Sequence, residues 1–354
     1  MSSSIGPGLA TMRALAASFP AALEDGFHQG RELALPAEAG TVDVYAAGMG
    51  GSGIAAELAR GILDAETRIS LTALRGPAPP ASLSSRSRVF LLSYSGNTWE
   101  TLRAYEAAGR AKAYRIVFTS GGSLAEAAER DHVPMLPLPS GLPPRSAVGC
   151  LFGGLLGVLD PWFPESNEER LTRITKRLPS LVATNARAGG PADRLAEQIG
   201  PRFPFVYAES SFLGLARRWK TQIEENAKRL AAFDEVPELF HNALVGWDAI
   251  SRSDAKRYAV VLLEWGGSNP LVRQSLRYLE RLLVERGVRV VRAPLPAEDR
   301  LEALVQGISL GDQLSLFLAE RARVDPLPYD AISRYRASLE PSSRTSKRAA
   351  RSQP

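Results

Sequence analysis

Two turns rich in glycine and serine each follow an apolar run and open a helix: VDVYAAGMGGSG near residue 48 and VFLLSYSGNT near residue 95. The chemistry such turns support is anion binding. Hydroxyls at Ser52, Ser93, Ser95 and Thr98 donate hydrogen bonds, as do the free backbone N–H groups around Gly51, and the helix dipole adds a partial positive charge at the same place. A single glycine-rich turn is weak evidence, but two of them predict the halves of one cradle for a phosphate monoester. A small sugar phosphate is the expected ligand.

The first turn also satisfies GxGxxG through Gly48, Gly50 and Gly53, so a dinucleotide enzyme is the natural rival. That rival wants an acid at the end of the second strand, whereas RISLTAL is followed by Arg75. An arginine there suits the 2′-phosphate of NADP, which keeps an NADP-dependent oxidoreductase open as an alternative. The hydroxyls of SYSGNT have no role in it. A P-loop is disfavoured because no Gly-Lys-Ser/Thr follows the glycines.

The elements that must position these turns follow from pattern. Apolar residues Met12, Leu15, Phe19, Leu23 and Phe27 are spaced as on a helix over 12–34. Short β-type runs (VDVYAAG, RISLTAL, RVFLLSYS, YRIVFTS, VPMLPLP) then alternate with helical segments, which predicts a parallel sheet covered by helices on both faces. In such sheets ligands bind beyond the carboxyl ends of the strands, where both turns fall. A second α/β unit follows, with strands at PFVYAES, YAVVLLEW and VRVVRAP and a long helix at FLGLARRWKTQIEENAKRL. That helix has an apolar stripe at Phe212, Ala216, Trp219, Ile223, Ala227 and Leu230. Two halves of similar size suggest an internal duplication. The expected organisation is 1–160 for an N-terminal helix and the first domain, 161–200 for a helical connector, 201–340 for the second domain, and 341–354 for a disordered basic tail.

Composition narrows the class. The chain has 354 residues and a formal net charge of +5, but Arg344, Lys347, Arg348 and Arg351 sit in the acid-free tail. The body is therefore nearly neutral, and nucleic acid is not an expected partner. A lone Cys150 predicts a buried structural thiol, no disulfide and a reducing compartment. With no secretory signal visible, the expected location is cytoplasmic. The longest apolar run, AVGCLFGGLLGVL, is too short to span a bilayer and reads as a core helix.

Taken in order, AAGMGGSGI, SYSGNTWETL, PSGLPPRSAVG, RWKTQIEENAK, PELFHNALVGW and LGDQLSLFLAERARVDP resemble the bifunctional phosphoglucose/phosphomannose isomerases, which are built from two sugar isomerase (SIS) domains. The resemblance runs from about residue 10 to about residue 340. It implies an α/β fold of two SIS-type domains, each a flavodoxin-like three-layer sandwich. It also implies interconversion of fructose 6-phosphate with glucose 6-phosphate and mannose 6-phosphate, with neither metal nor organic cofactor.

Such a reaction opens the sugar ring, moves a proton between C2 and C1, and holds an enediolate between the two steps. The resemblance assigns Glu225 in EENAK as the base, His241 in FHN as the ring-opening imidazole, and Arg145 in PPRSAVG as the cation that steadies the enediolate. The family histidine reaches the site from the neighbouring subunit, so a homodimer is implied. Without the resemblance, Glu225 would read as a solvated partner of Lys228 three residues on. His28 and His132 read as structural. Where the family carries a lysine near the C-terminus this chain has Arg336, which keeps the charge but cannot give up a proton. Phe240 and Ala243 replace the asparagine and glutamate that flank the family's His-Asn. These departures leave open a phosphosugar-binding SIS protein that does not catalyse.

Overall fold

A computed structural model of the chain describes residues 7–33, 35, 43–76 and 78–339, except the side chains of 336, 337 and 339. The basic tail expected at 341–354 lies outside the described residues. At the N-terminus the single helix expected over 12–34 is two, α1 (Gly8–Ala17) and α2 (Phe19–Glu32). Pro20, in the first turn of α2, has no N–H to carry the helical ladder on from α1.

The first half is built on β1 (Val44–Gly48), β2 (Leu71–Leu74), β3 (Arg88–Leu92), β4 (Tyr114–Thr119) and β5 (Met135–Pro137). All are parallel, in the order β2-β1-β3-β4-β5. Their helices are α3 (Gly50–Glu66), α4 (Trp99–Arg110) and α5 (Gly122–Arg130). Every residue of β1 and β3 is buried, as befits central parallel strands covered on both faces. Next comes α6 (Val148–Leu159), the expected core helix, which is buried throughout. It carries Cys150, whose thiol is pushed up by burial. Two further helices, α7 (Asn167–Ala186) and α8 (Pro191–Ile199), fill the stretch between the halves.

The second half contains β6 (Phe203–Glu209), α9 (Leu213–Ala227), β7 (Ala232–Val236), α10 (Ala243–Ala249), α11 (Arg252–Ala255), β8 (Tyr258–Trp265), α12 (Pro270–Arg286), β9 (Arg289–Leu295), α13 (Arg300–Ala322) and α14 (Asp330–Leu339). Its parallel sheet runs β7-β6-β8-β9, which repeats the β2-β1-β3-β4 order of the first. The strand β7, absent from the sequence reading, is an edge strand of sequence AFDEV and only partly buried. Its two acids leave no apolar run to detect. Leu230, expected on the α9 stripe, is instead 75% exposed. The helix has already ended at Ala227, with Lys228 left-handed at its C-cap.

One apolar core runs between the two sheets and joins Ile54, Leu58, Phe90, Leu215, Trp219 and Leu304. Smaller cores lie under the outer helices of each sheet. The halves are thus packed into one another through α3, α9 and α13, and α8 lies on α13 and β9. No helix among the described residues is long and apolar enough to cross a membrane.

Candidate functional site

Strand order reverses between β1 and β3, whose last residues Gly48 and Leu92 are register partners. Beyond that point their turns part to make a crevice. Gly50 opens α3 at φ +53°, and Thr98 sits at the N-cap of α4. The two turns are tied directly: the N–H of Tyr94 donates to Ser52 Oγ at 3.1 Å. Within the second turn Ser93 Oγ donates to Thr98 Oγ1 at 3.0 Å, and the Asn97 N–H meets Ser95 Oγ at 3.3 Å. Gly96 has φ +67°, and a Cβ there would stand 1.7 Å from the carbonyl oxygen of Gly121. Only glycine lets the turn close down on the end of β4. Ser52 and Ser93 are buried, whereas Ser95 and Thr98 are half-buried.

The next piece of the site rests against this cradle. A Cβ on Gly51 would come within 2.9 Å of Arg145 Cα and 3.0 Å of Arg145 N, so the glycine allows the two backbones to touch. The Tyr94 hydroxyl donates to the Pro139 carbonyl at 2.8 Å and accepts from the Leu142 N–H at 2.6 Å, which fixes the loop leading to Arg145. Arg145 itself lies in a 3-10 turn, Pro144–Ala147, and is 2% exposed. Its Nε donates to Asn226 Oδ1 at 2.8 Å, and Nη2 donates to the carbonyls of Pro326 at 2.7 Å and Leu327 at 3.4 Å. Nη1 lies 3.4 Å from Glu225 Oε2. A guanidinium has five N–H donors, so this arrangement leaves one on Nη1, beside the carboxylate.

Glu225, on the last turn of α9, has a side chain one-quarter exposed. Burial pushes its carboxyl above the ordinary carboxylate range, although Arg145, Arg218 and Lys228 pull the other way. Its contact with Arg145 is long for a hydrogen bond. The carboxylate is therefore partly desolvated, near a cation and loosely held, which are the properties a proton acceptor needs. The solvated pair with Lys228 does not form. The Lys228 ammonium donates instead to the main-chain carbonyls of Glu225 and Pro328 and, at 3.1 Å, of Pro326.

The remaining sequence candidates lie apart. His241 ends a 3-10 turn, Glu238–His241, just beyond β7, and is exposed, without a side-chain hydrogen-bond or ion-pair partner among the described residues. A helix joining parallel strands runs back against them, so α9 brings Glu225 to the start of the second sheet while His241 follows its end. The five residues of β7, roughly 17 Å at about 3.3 Å each, separate the two within one chain. Arg336 falls on α14, and its side chain is outside the described residues.

Arg75, on which the NADP alternative depends, donates from Nε to Glu57 at 2.5 Å and from Nη2 to the Gly53 carbonyl at 3.1 Å. Its guanidinium thus fastens β2 to α3. Sequence reading missed Asn226, Gln222, Arg218 and Asp312, which surround Arg145 from behind. The signal for the first three was their spacing at i, i+4 and i+8 on α9, and for Asp312 a lone acid within the apolar run of α13.

The chain is similar to known proteins over most of its length. Residues 189–339 match the family described as bacterial phospho-glucose isomerase C-terminal SIS domain. The bifunctional phosphoglucose/phosphomannose isomerase of Caldicellulosiruptor bescii is 31% identical over 327 residues, covering 89% of this chain and 95% of the relative. That of Aquifex aeolicus is 29% identical over 83% of this chain and 89% of its own length. Among solved structures, tagatose-6-phosphate ketose/aldose isomerase from Escherichia coli superposes with a TM-score of 0.65 at 18% identity. It covers 87% of this chain and 91% of that one, a likeness of fold.

Proposed function

The chain belongs to the bifunctional phosphoglucose/phosphomannose isomerase family, and from that premise we propose how its residues carry the reaction. The protein is an aldose–ketose isomerase of 6-phosphosugars, interconverting fructose 6-phosphate with glucose 6-phosphate and mannose 6-phosphate. Ser52, Ser93, Ser95 and Thr98, with the amides from Gly51 onward, hold the phosphate at the N-termini of α3 and α4. His241 opens the ring by giving a proton to the ring oxygen. Glu225 takes the C2 proton of the open-chain aldose and returns it to C1 of the enediolate. The negative charge that develops on the oxygens at C1 and C2 falls to Arg145, through the Nη1 donor left beside Glu225. Protonation of either face of C2 in the reverse direction yields one epimer or the other. Arg336 stands where the family carries its lysine and keeps the positive charge of that residue.

The observation that carries this reading is the continuous contact from Gly51 to Arg145 to Glu225, which sets a phosphate cradle and a raised carboxylate on one path. Because Glu225 and His241 lie at opposite ends of the second sheet, we assign His241 to the site of a second copy, in a cytoplasmic homodimer. The two sugar isomerase domains are taken as 1–160 and 201–340, joined through 161–200.

Turnover is measured with fructose 6-phosphate, and in a parallel sample with mannose 6-phosphate, coupling the glucose 6-phosphate formed to glucose-6-phosphate dehydrogenase. Activity that survives Glu225→Gln would remove that residue from the role of base. No turnover, with the sugar phosphate still raising the melting temperature, would make the protein a sensor. A mixture of Glu225→Gln and His241→Ala chains, refolded together, should recover part of the activity that each lacks alone. If the mixed dimers stay inactive, the shared site is wrong.

A further inference from the structure

Arg145 is held from the second half of the molecule through both its side chain and its main chain. Arg218, on α9 and 2% exposed, forks onto Asp312 of α13 through Nε at 3.0 Å and Nη2 at 2.7 Å. From the opposite side both of its terminal nitrogens reach the main-chain carbonyl of Arg145, each at 3.3 Å. Gln222 donates to the same Asp312 oxygen at 3.1 Å. Asn226, which accepts from Arg145 Nε, is in turn fixed by Ser315 at 2.8 Å and by Gln222 at 3.2 Å.

Arg218, Gln222 and Asn226 are spaced by four, on one face of α9 beside Glu225. The face that presents the carboxylate therefore also grips the backbone and side chain of Arg145. A buried, densely hydrogen-bonded network of this kind enforces one arrangement of the groups it holds.

Resting on the isomerase reading above, we propose that Arg218, anchored on Asp312, is a positioning residue for isomerisation. It holds the Pro144–Ala147 turn so that Arg145 meets the Gly51 turn of one half and Glu225 of the other at the same time. The planar fork matters, since a lysine cannot hold Asp312 at two points and the Arg145 carbonyl together.

Removing one partner would strand a buried charge, so the decisive variant replaces both, as Arg218→Met with Asp312→Leu, which keeps the volume apolar. Arg218→Lys serves as the second variant. Three quantities are read on the full chain: melting temperature, amide hydrogen exchange over residues 143–149, and kcat and KM for fructose 6-phosphate.

The double variant is expected to remain folded, to exchange those amides about tenfold faster, and to lose about 100-fold in kcat. KM should stay within about threefold, because the phosphate cradle is untouched. Arg218→Lys should fall between it and the natural chain. A folded double variant with unchanged exchange overturns the proposal, as does faster exchange with unchanged kcat, or a loss seen in KM alone. If the unmodified chain itself shows no turnover, the isomerase reading fails, and the exchange rates still decide whether Arg218 holds the Arg145 turn.

Discussion

The two strand-end crevices of this molecule share a topology and differ in where their negative charge comes from. In the first half, the turns after β1 and β3 present glycine and hydroxyls, with Ser52, Ser93, Ser95 and Thr98 arranged around an open helix N-terminus. In the second half, β6 ends in Glu209. Its carboxylate accepts from Ser211 and, at 2.9 Å, from Arg300 at the start of α13. The guanidinium of Arg300 in turn lies 4.9 Å from the centre of the Trp265 ring, at the end of β8. The second crevice thus carries its own anion, cation and aromatic cover, whereas the first leaves the hydroxyl protons of Ser52, Ser95 and Thr98 to a ligand. A repeated fold need not repeat a site, because a single carboxylate at a strand end satisfies the donors that would otherwise recruit a phosphate.

That contrast is open to attack, beginning where the effect should be largest. Glu225→Gln should lower kcat by roughly 10²- to 10⁴-fold, measured by the coupled assay; a small loss would mean that the chemistry lies elsewhere. Arg145→Gln should cost about 10²- to 10³-fold in kcat and also shift the pH profile. Turnover needs ionised Glu225, whose pKa already lies above its ordinary 4.5, so activity falls as pH drops through that raised value. Removing the cation disfavours the carboxylate further, and the acid limb of kcat should move to higher pH. A limb that stays put would separate Arg145 from Glu225.

Ser95→Ala should act on binding, raising KM roughly 10- to 100-fold for the loss of a hydrogen bond to a charged group. Its kcat should barely change, because the phosphate is bound alike in ground and transition states. The smallest effect on turnover belongs to the second crevice. Glu209→Gln should leave kcat and KM within about twofold while costing about 1–3 kcal/mol of stability, read by denaturant unfolding, as Arg300 loses its carboxylate. If it raised KM as Ser95→Ala does, the second crevice would be part of the substrate site and the comparison would collapse.

Much of this was legible in the chain itself. Strand, glycine-rich turn and helix are local patterns, set by side-chain period and backbone freedom, so the parallel sheets and the phosphate turns could be read from order alone. The edge strand β7 could not, because pairing along one side needs no apolar run. The early end of α9 was hidden as well, since Lys228 takes a left-handed conformation with no glycine to announce it.

The sequence by itself determined the fold class, the ligand-binding turns and, through six ordered motifs, the residues that the family resemblance assigns to chemistry. Tertiary structure alone decided which of them meet. Arg145 and Glu225 are 80 residues apart in the chain and Arg218 and Asp312 are 94 apart; the first pair meets because the two sheets share one core, the second because α13 packs along α9. The same packing sends Glu225 and His241 to opposite ends of the second sheet. Local propensity acts over a few residues through the backbone, whereas apposition at this range follows from how whole layers bury their apolar faces.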